Sequence, residues 1–477
     1  MYIVDIIFEA NKNRAAHAAI EDAQGTLSYA SFEGEVLKLV EYLKEAGVGK
    51  NDAVGVMGRN SRQFIISVFA CLKMNAVVFP LSSQLKSDEV NGILNKSNIA
   101  FLLDDGEGAA VDFVAVGNPM ISEVQWTFSK ESSGKTVSLN IDVEAPAIIR
   151  YSSGTTGNAK GVVIIHRSIF ERIEAANKGL KLNDEDTVVW VLPMSYHFVV
   201  SIFLYLKNGC TIALAKDFQA DSIADCILKN NGTFLYVSPM HIKMLNSYKA
   251  VESFPTLNKV ISTSTAISKQ QCDAFYDKYK IPVSQAYGII EIGLPMINAD
   301  RSTTHPEAVG HALPDYTIGI LDKDFAVLPF GEIGHLGIKG PGMFNAYLEP
   351  FTKRESVLKN EWFLTGDLAS MDEDGLVKIE GREKTMINVS GNKVFPVEVE
   401  QVICKHEAVD QAKVSGTHHR LMGEIVKAEI VLKEGATADS ESIIRFCRQR
   451  LSTYKLPQKI KFVEKLEMTD SGKIVRR

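Results

Sequence analysis

Along most of the chain, the apolar and polar positions follow two patterns, helical spacing and short apolar runs. Between about residues 30 and 345, segments with helical spacing, such as FEGEVLKLVEYLKEAG and SIADCILKNNG, are each followed by a short apolar run, DAVGVMG or TFLYVSP. Apolar residues three and four positions apart indicate amphipathic helices, and short apolar runs indicate buried strands. Because such alternation is typical of β–α units, the pattern predicts an α/β fold around mainly parallel sheets.

The pattern changes near Gly331. Short strands and turns follow, as in GEIGHLGIKGPG and MDEDGLVKIEGR, and helical spacing then returns at PVEVEQVICKH and SESIIRFCRQRLSTY, on either side of the extended segment KAEIVLKEG. The last part is predicted to be a small α+β domain of roughly 90 residues, within the usual range of domain sizes. We predict a large domain over residues 1–383, a small one over residues 384–477, a polar hinge near Lys384 and a site in the cleft between the domains.

Composition excludes several classes of protein. The 477 residues suffice for at least two domains, and a formal net charge of −6 argues against a general nucleic-acid binder. Lys73 and Asn75 interrupt the longest apolar segment, which predicts a buried helix leading into a strand and no membrane insertion. The first segment carries Asp5 and Glu9 without a basic leader, so we expect no signal peptide. Six scattered cysteines favour reduced thiols and a cytoplasmic location.

One stretch, IIRYSSGTTGNAKGVVIIHRS, concentrates hydroxyl groups and glycines between two apolar runs. Its candidate ligand and turn residues are Ser152, Ser153, Gly154, Thr155, Thr156, Gly157, Lys160 and Gly161. Backbone N–H groups, hydroxyls and a lysine form a cradle for phosphate oxygens, and glycines allow the backbone to approach closely. The spacing does not fit the P-loop pattern, and the flanking runs Ala147–Ile149 and Val162–Ile165 predict strands. On this stretch alone, a plain polar hairpin loop is the alternative.

Four further stretches follow in order and carry a family resemblance: QAYGIIEIG, EWFLTGDLASMDEDGLVKIEGREKTMINVSGNKVFPVEVE, GEIVKAEIVLKEG and MTDSGKIVRR. Together with the polar loop, they resemble the motifs of the adenylate-forming superfamily of acyl-CoA synthetases, aryl-acid ligases, stand-alone adenylation domains and luciferases. The likeness runs from about Leu27 to Arg477. It implies a distorted β-barrel beside the parallel sheets and a small mobile C-terminal domain.

The resemblance also implies a reaction. ATP activates a carboxylic acid to an acyl-AMP with release of pyrophosphate, and a thioester then forms on CoA or on the phosphopantetheine of an acyl or peptidyl carrier protein. ATP and Mg²⁺ are therefore the implied cosubstrate and cofactor. The departing and attacking groups need placement and charge neutralisation more than covalent help from the protein.

Motif matches assign the phosphate, adenine and metal positions by resemblance. Residues 152–157 and Lys160 would hold the β- and γ-phosphates. In the run Ala286, Tyr287, Gly288, the tyrosine ring would lie against the adenine, with ordinary core packing as the alternative. Glu291 would act in catalysis by helping to hold Mg²⁺ through oxygen ligands, where a surface carboxylate is the alternative.

Five residues near and beyond the predicted hinge receive roles in the same way. Asp367 and Arg382 would bind the ribose hydroxyls, although Asp367 alone could be a turn residue. Lys473 would reach the α-phosphate and carboxylate oxygens during adenylation, whereas most lysines are simply solvated. Lys384 falls at the hinge, and rotation there would bring Gly391 to the site, where glycine leaves room for a pantetheine arm.

The chain departs from the family pattern in its predicted substrate pocket and beside the metal position. Ile290 replaces the usual threonine, so a hydroxyl near the α-phosphate is absent. Thr263, Ser264 and Thr265 stand where relatives often have the smaller residues of SGGAPLSK, which favours a short or differently shaped acid. His197 stands where amino-acid-activating relatives carry an aspartate, which disfavours an α-amino acid. It would contact the substrate or be an ordinary packed histidine.

Other functions fit parts of the sequence. A catalytically weakened nucleotide-binding interaction protein of the same fold would account for Ile290, but Lys473, Glu291 and Asp367 argue against it. A luciferase-like oxygenase shares the motifs and is disfavoured by its rarity. The lysines and arginines of the C-terminal segment would meet CoA phosphates or an acidic carrier protein, or form a solvated basic face. We therefore predict an AMP-forming acid–thiol ligase acting on a short or aromatic acid.

Overall fold

The computed structural model of the chain describes residues 2–106, 113–132, 139, 141–151, 160–390, 392–419 and 423–467. The predicted phosphate-loop residues 152–157, Gly391 and Lys473 lie outside the described residues. Their assigned roles stay predictions.

Helices and strands alternate in the described chain as the hydrophobic pattern predicts. The helices are α1 (Ile3–Ala10), α2 (Tyr29–Glu45), α3 (Arg62–Lys73), α4 (Ser87–Ser97), α5 (His166–Leu180), α6 (Met194–His197), α7 (Ile202–Lys207), α8 (Ala220–Lys229), α9 (Pro239–Ser247), α10 (Lys269–Tyr279), α11 (Arg354–Val357), α12 (Pro396–Ile403) and α13 (Ser440–Arg448), with 3₁₀ turns at Lys12–Arg14, Glu383–Thr385 and Thr453–Lys455.

Most of the strands are short, and β23, β27 and β28 are the longest. They are β1 (Ala18–Asp22), β2 (Gly25–Ser28), β3 (Ala53–Gly58), β4 (Val77–Ser82), β5 (Phe101–Asp104), β6 (Phe113–Gly117), β7 (Met120–Ile121), β8 (Val124–Gln125), β9 (Thr127–Glu131), β10 (Pro146–Tyr151), β11 (Gly161–Ile165), β12 (Thr187–Trp190), β13 (Thr211–Leu214), β14 (Phe234–Val237), β15 (Lys259–Ser262), β16 (Val283–Ile289), β17 (Gly293–Ile297), β18 (His311–Ala312), β19 (Thr317–Leu321), β20 (Gly334–Lys339), β21 (Ala346–Tyr347), β22 (Thr352–Lys353), β23 (Phe363–Met371), β24 (Val377–Arg382), β25 (Ile387–Val389), β26 (Asn392–Val394), β27 (Val409–His419), β28 (Gly423–Leu432) and β29 (Lys459–Phe462).

The chain divides into two compact units. The first contains the described parts of residues 1–154, 158–316 and 340–357, and the second contains those of residues 317–339 and 358–477. Both sides of the predicted hinge at Lys384 lie in the second unit. The boundary after residue 383 and the rotation about Lys384 therefore stay predictions.

The first unit contains two nine-stranded sheets. One has the order β18–β17–β16–β15–β14–β12–β13–β1–β2, and its strands from β16 to β1 are parallel. Val189, Leu235 and Val260 of this sheet pack with Ile223 of α8 and Phe275 of α10 in a buried cluster. Because parallel strands end at one edge of a sheet, Trp190, Tyr236 and Thr263 are gathered at the carboxyl ends of β12, β14 and β15.

The second sheet of this unit has the order β22–β21–β11–β10–β4–β3–β5–β9–β6, in which β10, β4, β3 and β5 are parallel. Strands β10 and β11 pair antiparallel, with Ile149 opposite Val163, so the predicted strands on each side of the polar loop are confirmed. Helix α3 is buried at every residue before Lys73 and leads into β4, which confirms the predicted buried helix and strand.

The second unit consists of two smaller sheets. The strand-and-turn region after Gly331 contributes to an antiparallel sheet of order β19–β20–β23–β24, and a distorted barrel stays a prediction. The other sheet has the order β26–β25–β28–β27, with β29 beside β28. Val399 and Ile403 of α12 and Ile443 of α13 pack in one cluster with Val414 and Ile430 of this sheet, which confirms the predicted small α+β arrangement.

The described part of the chain contains no helix that combines the length and the apolar character needed to cross a bilayer. All six cysteines are free, and five of them are buried. The reduced state of the thiols stays a prediction.

Candidate active site

Glu291 lies in a tight turn between two strands of the first unit. Strand β16 carries Ala286, Tyr287 and Gly288, and the chain turns at Ile290 and Glu291 before β17. A side chain at Gly288 would place its Cβ 2.7 Å from the carbonyl oxygen of Gly293, so the close approach of β16 and β17 requires glycine there. The turn thereby fixes the backbone that presents the Glu291 carboxylate.

Tyr347 of β21 contacts this carboxylate, and Lys160, directly before β11, lies over the tyrosine ring. The Tyr347 hydroxyl donates a hydrogen bond to Glu291 Oε1 at 3.2 Å, and the Lys160 ammonium nitrogen lies 4.4 Å from the centroid of the Tyr347 ring. Burial and the neighbouring carboxylate raise the pKa of Tyr347, so the phenol is neutral and is the donor. The structure thus brings together two predicted residues, Lys160 and Glu291, through Tyr347.

Tyr347 was not predicted from the sequence. Its segment, NAYLEPFTK, contains no signal that distinguishes this tyrosine from a core aromatic residue. Only the pairing of β11 with β21, which places Val162 opposite Tyr347, brings the phenol to the turn that carries Glu291.

Arg172 of α5 holds the backbone around Glu291. The side chain is fully buried, with Nε donating to the carbonyl oxygen of Gly342 at 2.9 Å and Nη1 to that of Ile290 at 3.0 Å. Gly342 has φ +66, and a Cβ at this position would lie 2.5 Å from the backbone nitrogen of Arg172. The segment leading to Tyr347 therefore approaches helix α5 closely. Burial lowers the pKa of Arg172 to about 10, and the guanidinium stays charged at neutral pH.

The predicted substrate-pocket residue His197 packs against aromatic rings. Its imidazole centroid lies 6.2 Å from Trp190 and 6.3 Å from Tyr236, edge-on to both, and these two rings are stacked on each other at 6.0 Å. Burial raises the pKa of Tyr236, and an interaction with the buried Thr263 side chain opposes that rise. His197 and Thr263 are therefore brought to one aromatic cluster at the strand edge.

The two residues after Thr263 differ in their surroundings. Ser264 is half-buried and has φ +76, a left-handed conformation that glycine adopts without strain, which gives a physical reason for the glycine often found there in relatives. Thr265 is exposed. Their predicted places in the acyl pocket stay predictions.

In the second unit, the two predicted ribose ligands form an ion pair. Asp367 and Arg382 face each other across β23 and β24, and Arg382 Nε lies 2.8 Å from Asp367 Oδ1. The Asp367 side chain is 6% exposed and that of Arg382 is 55% exposed, so the carboxylate is already compensated within the sheet. Lys384 is exposed in the following 3₁₀ turn.

The residues around Glu291 fit a magnesium ion that is held largely by its nucleotide. The described residues contain no group of three His, Cys, Asp or Glu side chains arranged as a metal cage. Mg²⁺ commonly uses one or two carboxylates together with substrate phosphates and water, which a single carboxylate can support. Glu291 is the predicted protein ligand.

Removal of the Tyr347 hydroxyl tests its contact with Glu291. We expect Tyr347→Phe to raise the Mg²⁺ concentration for half-maximal adenylation roughly fivefold, since the lost hydrogen bond is worth about 1 kcal/mol, while the ring over Lys160 is kept. A Mg²⁺ titration of the exchange of labelled pyrophosphate into ATP measures this. Tyr276→Phe, at an exposed tyrosine, is the control. An unchanged Mg²⁺ requirement in Tyr347→Phe would contradict the role.

Comparison with known proteins supports the motif analysis. The AMP-binding enzyme family model matches residues 7–348, and that of the AMP-binding enzyme C-terminal domain matches residues 398–473. The chain is 27% identical to an indoleacetate–CoA ligase of Aromatoleum aromaticum, over 96% of this chain and 93% of the relative. It is 29% identical to the fatty acid–[acyl-carrier-protein] ligase ScoC of Streptomyces coeruleorubidus, over 95% and 91%.

Among solved structures, the fold is similar to that of o-succinylbenzoate CoA synthetase (MenE) from Bacillus subtilis in complex with the acyl-adenylate intermediate OSB-AMP. The TM-score is 0.86 at 22% identity, and the match covers 99% of this chain and 96% of that one. This likeness confirms the predicted α/β fold. The prediction of an AMP-forming acid–thiol ligase of the adenylate-forming superfamily, made from the motifs, is confirmed. Because the family models match most of the chain, the chain belongs to the AMP-binding enzyme family.

Proposed function

We propose that the chain activates a short or aromatic carboxylic acid with ATP and Mg²⁺ and transfers the acyl group to the thiol of CoA or of a carrier-protein phosphopantetheine. The contacts of Tyr347 with Lys160 and with Glu291 support the site assignment, because they bring a predicted phosphate-binding cation and a predicted metal-binding carboxylate to the same phenol. In this site Lys160 supplies positive charge for the phosphates, and Glu291 supplies a ligand for the metal ion.

The reaction runs in two displacements. A carboxylate oxygen of the acid attacks the α-phosphorus of ATP, the bond to the β-phosphate oxygen breaks, and pyrophosphate leaves. The thiol sulfur then attacks the acyl carbon, loses its proton to solvent, and AMP leaves with the electrons of the broken C–O bond. The polar loop and Lys160 neutralise the departing pyrophosphate, and Lys473 the α-phosphate. Bound at Glu291, Mg²⁺ would supply further neutralisation of phosphate charge.

The aromatic cluster supports the proposed class of acid. Trp190, Tyr236 and His197 offer flat rings at the strand edge, where ligands of parallel sheets bind. His197 provides no carboxylate for a substrate ammonium group. The relatives include both a CoA ligase and a carrier-protein ligase, so both thiols belong in the assay.

Exchange of labelled pyrophosphate into ATP tests the proposal directly. We expect exchange that depends on an added acid, measured across short, branched and aromatic acids, with hydroxamate trapping and mass spectrometry to identify the acyl group. ATP cleavage to free phosphate without exchange for any acid would overturn the proposal. Thioester formation with CoA or with a phosphopantetheinylated carrier protein then identifies the acceptor.

Ile290 is the observation that favours a catalytically weakened nucleotide-binding protein. Its contact with Arg172 is relevant to this alternative. The residue contributes its carbonyl oxygen to Arg172, a contact that any amino acid in this turn can make. The backbone next to Glu291 is therefore held without a threonine.

A threonine at this position is expected to leave activity intact or raise it, because it restores a hydroxyl beside Glu291 without removing the backbone contact. The kcat and KM of pyrophosphate exchange for Ile290→Thr measure this. Ile290→Val, which changes the side chain without adding a hydroxyl, is the matched control. A collapse of activity in Ile290→Thr alone would mean that the motif has been misplaced.

A further inference from the structure

Arg150 is a partly buried cation that the assigned site does not use. It lies near the end of β10, one residue before Tyr151 and the predicted phosphate loop. Its Nη1 donates to the carbonyl oxygen of Tyr196, and its guanidinium carbon lies 5.9 Å from the centroid of the Tyr196 ring. Its Nε is shielded from solvent and has no hydrogen-bond partner in the described structure.

The electrostatics around Arg150 are unbalanced. Across the residues that the structure describes, no carboxylate lies within ion-pair distance of its guanidinium. Glu291 attracts it from farther away, and Arg172, a second buried guanidinium, repels it. Burial lowers the pKa of Arg150 to about 10, and the side chain is still charged at neutral pH. A partly buried charge without a close counter-charge is unfavourable in the free protein, and an incoming anion would relieve that cost.

Arg150 lies close in sequence to residues that are predicted to bind ATP, and it contacts the neighbour of a residue predicted to line the pocket for the acid. Along the chain it directly precedes the predicted phosphate loop, and in space it contacts Tyr196, the neighbour of His197 in α6. The Tyr196 carbonyl is a partner for one N–H group of Arg150, and the Tyr196 ring packs against the guanidinium. They do not account for the positive charge or for the unpartnered Nε.

We propose that Arg150 is an anion-binding residue of this site, which binds an oxygen of an anionic group brought by a substrate. Two sources share this chemistry: a phosphate of ATP, and a second acidic group on the carboxylic acid. The inference rests on the proposed function and extends it, because in the second case Arg150 selects diacids over monoacids.

Two substitutions separate charge from hydrogen bonding. Arg150→Gln keeps a donor for the Tyr196 carbonyl but has no charge, whereas Arg150→Lys keeps the charge. We expect Arg150→Gln to raise the KM of one substrate at least tenfold, and Arg150→Lys to recover much of that loss. We also expect Arg150→Gln to keep or raise the melting temperature of the free protein, because it removes a partly buried charge that has no close counter-charge among the described residues. Arg167→Met, at the exposed arginine of α5, is the control for losing an arginine.

The assay identifies the source of the anion. KM values are measured in pyrophosphate exchange for ATP and for matched pairs of acids, butyrate with succinate and benzoate with phthalate. Melting temperatures are measured with and without a non-hydrolysable ATP analogue. A raised KM for ATP with every acid, together with a smaller stabilisation by the analogue, assigns Arg150 to phosphate. A raised KM for the diacids alone assigns it to the second acidic group.

Two results would overturn the inference: wild-type KM values in Arg150→Gln, whatever its melting temperature, or failure of both variants to fold, which would make Arg150 structural. Failure of the proposed function would instead appear in the wild-type chain as a lack of acid-dependent exchange. The two failures are therefore distinguishable.

Discussion

Replacing Lys473 with alanine is expected to lower adenylate formation by about 10²–10³-fold, the typical loss when one group that stabilises transition-state charge is removed. By family resemblance, this ammonium meets the developing charge on the α-phosphate and the attacking carboxylate. In the second step the rotated small domain would present the segment around Gly391 instead. Thioester formation from preformed acyl-AMP should therefore stay near the wild-type rate.

The two half-reactions can be measured separately for Lys473→Ala. Pyrophosphate exchange reports adenylation, and single-turnover transfer from synthetic acyl-AMP to thiol reports thioester formation. Lys465→Ala is a matched control, because Lys465 is an exposed lysine in the same C-terminal segment. Equal loss of both half-reactions would contradict the alternation of two faces of the small domain at one site.

The second large effect is expected at Arg172. Arg172→Met should lower the free energy of unfolding by about 2–4 kcal/mol, because the buried carbonyl oxygens of Gly342 and Ile290 lose their donors. The released turn would also displace Glu291, and the Tyr347 segment would lose its anchor to α5. We therefore expect a lower rate of adenylation and a higher Mg²⁺ requirement in the folded fraction.

Urea unfolding and a Mg²⁺ titration of exchange measure these two effects. Arg172→Lys keeps a charged donor that can reach one carbonyl and should lose less stability than Arg172→Met. Arg167→Met, five residues earlier on the exposed side of α5, should change the free energy of unfolding by less than about 0.5 kcal/mol. Wild-type stability in Arg172→Met would show that the two carbonyl contacts do not hold the turn.

The Asp367–Arg382 ion pair shows how the structure refines a motif assignment. Both residues were predicted as separate ribose ligands, and the strand pairing places them directly opposite each other. Their contact at 2.8 Å orients the carboxylate before any ligand binds. This register was not visible in the sequence, because a register shift between Leu368 and Ala369 sets which residues face each other, and no local pattern marks it.

The sequence by itself determined the β–α alternation, the strands on each side of the polar loop, the small α+β unit and the family to which the chain belongs. These features depend on hydrophobic spacing and on motifs, both of which act over a few neighbouring residues. The same local motifs predict Lys160 and Glu291 as site residues.

Only the tertiary structure decided which groups surround those residues. Arg172 is 118 residues from Ile290 and 170 from Gly342, and Arg150 is 46 residues from Tyr196. Sheet order and helix packing determine contacts over such separations, and a buried arginine or tyrosine has no local pattern that reveals its partner. The physical reason is that a buried polar group must be matched in three dimensions, whereas periodicity records only which face of an element is apolar.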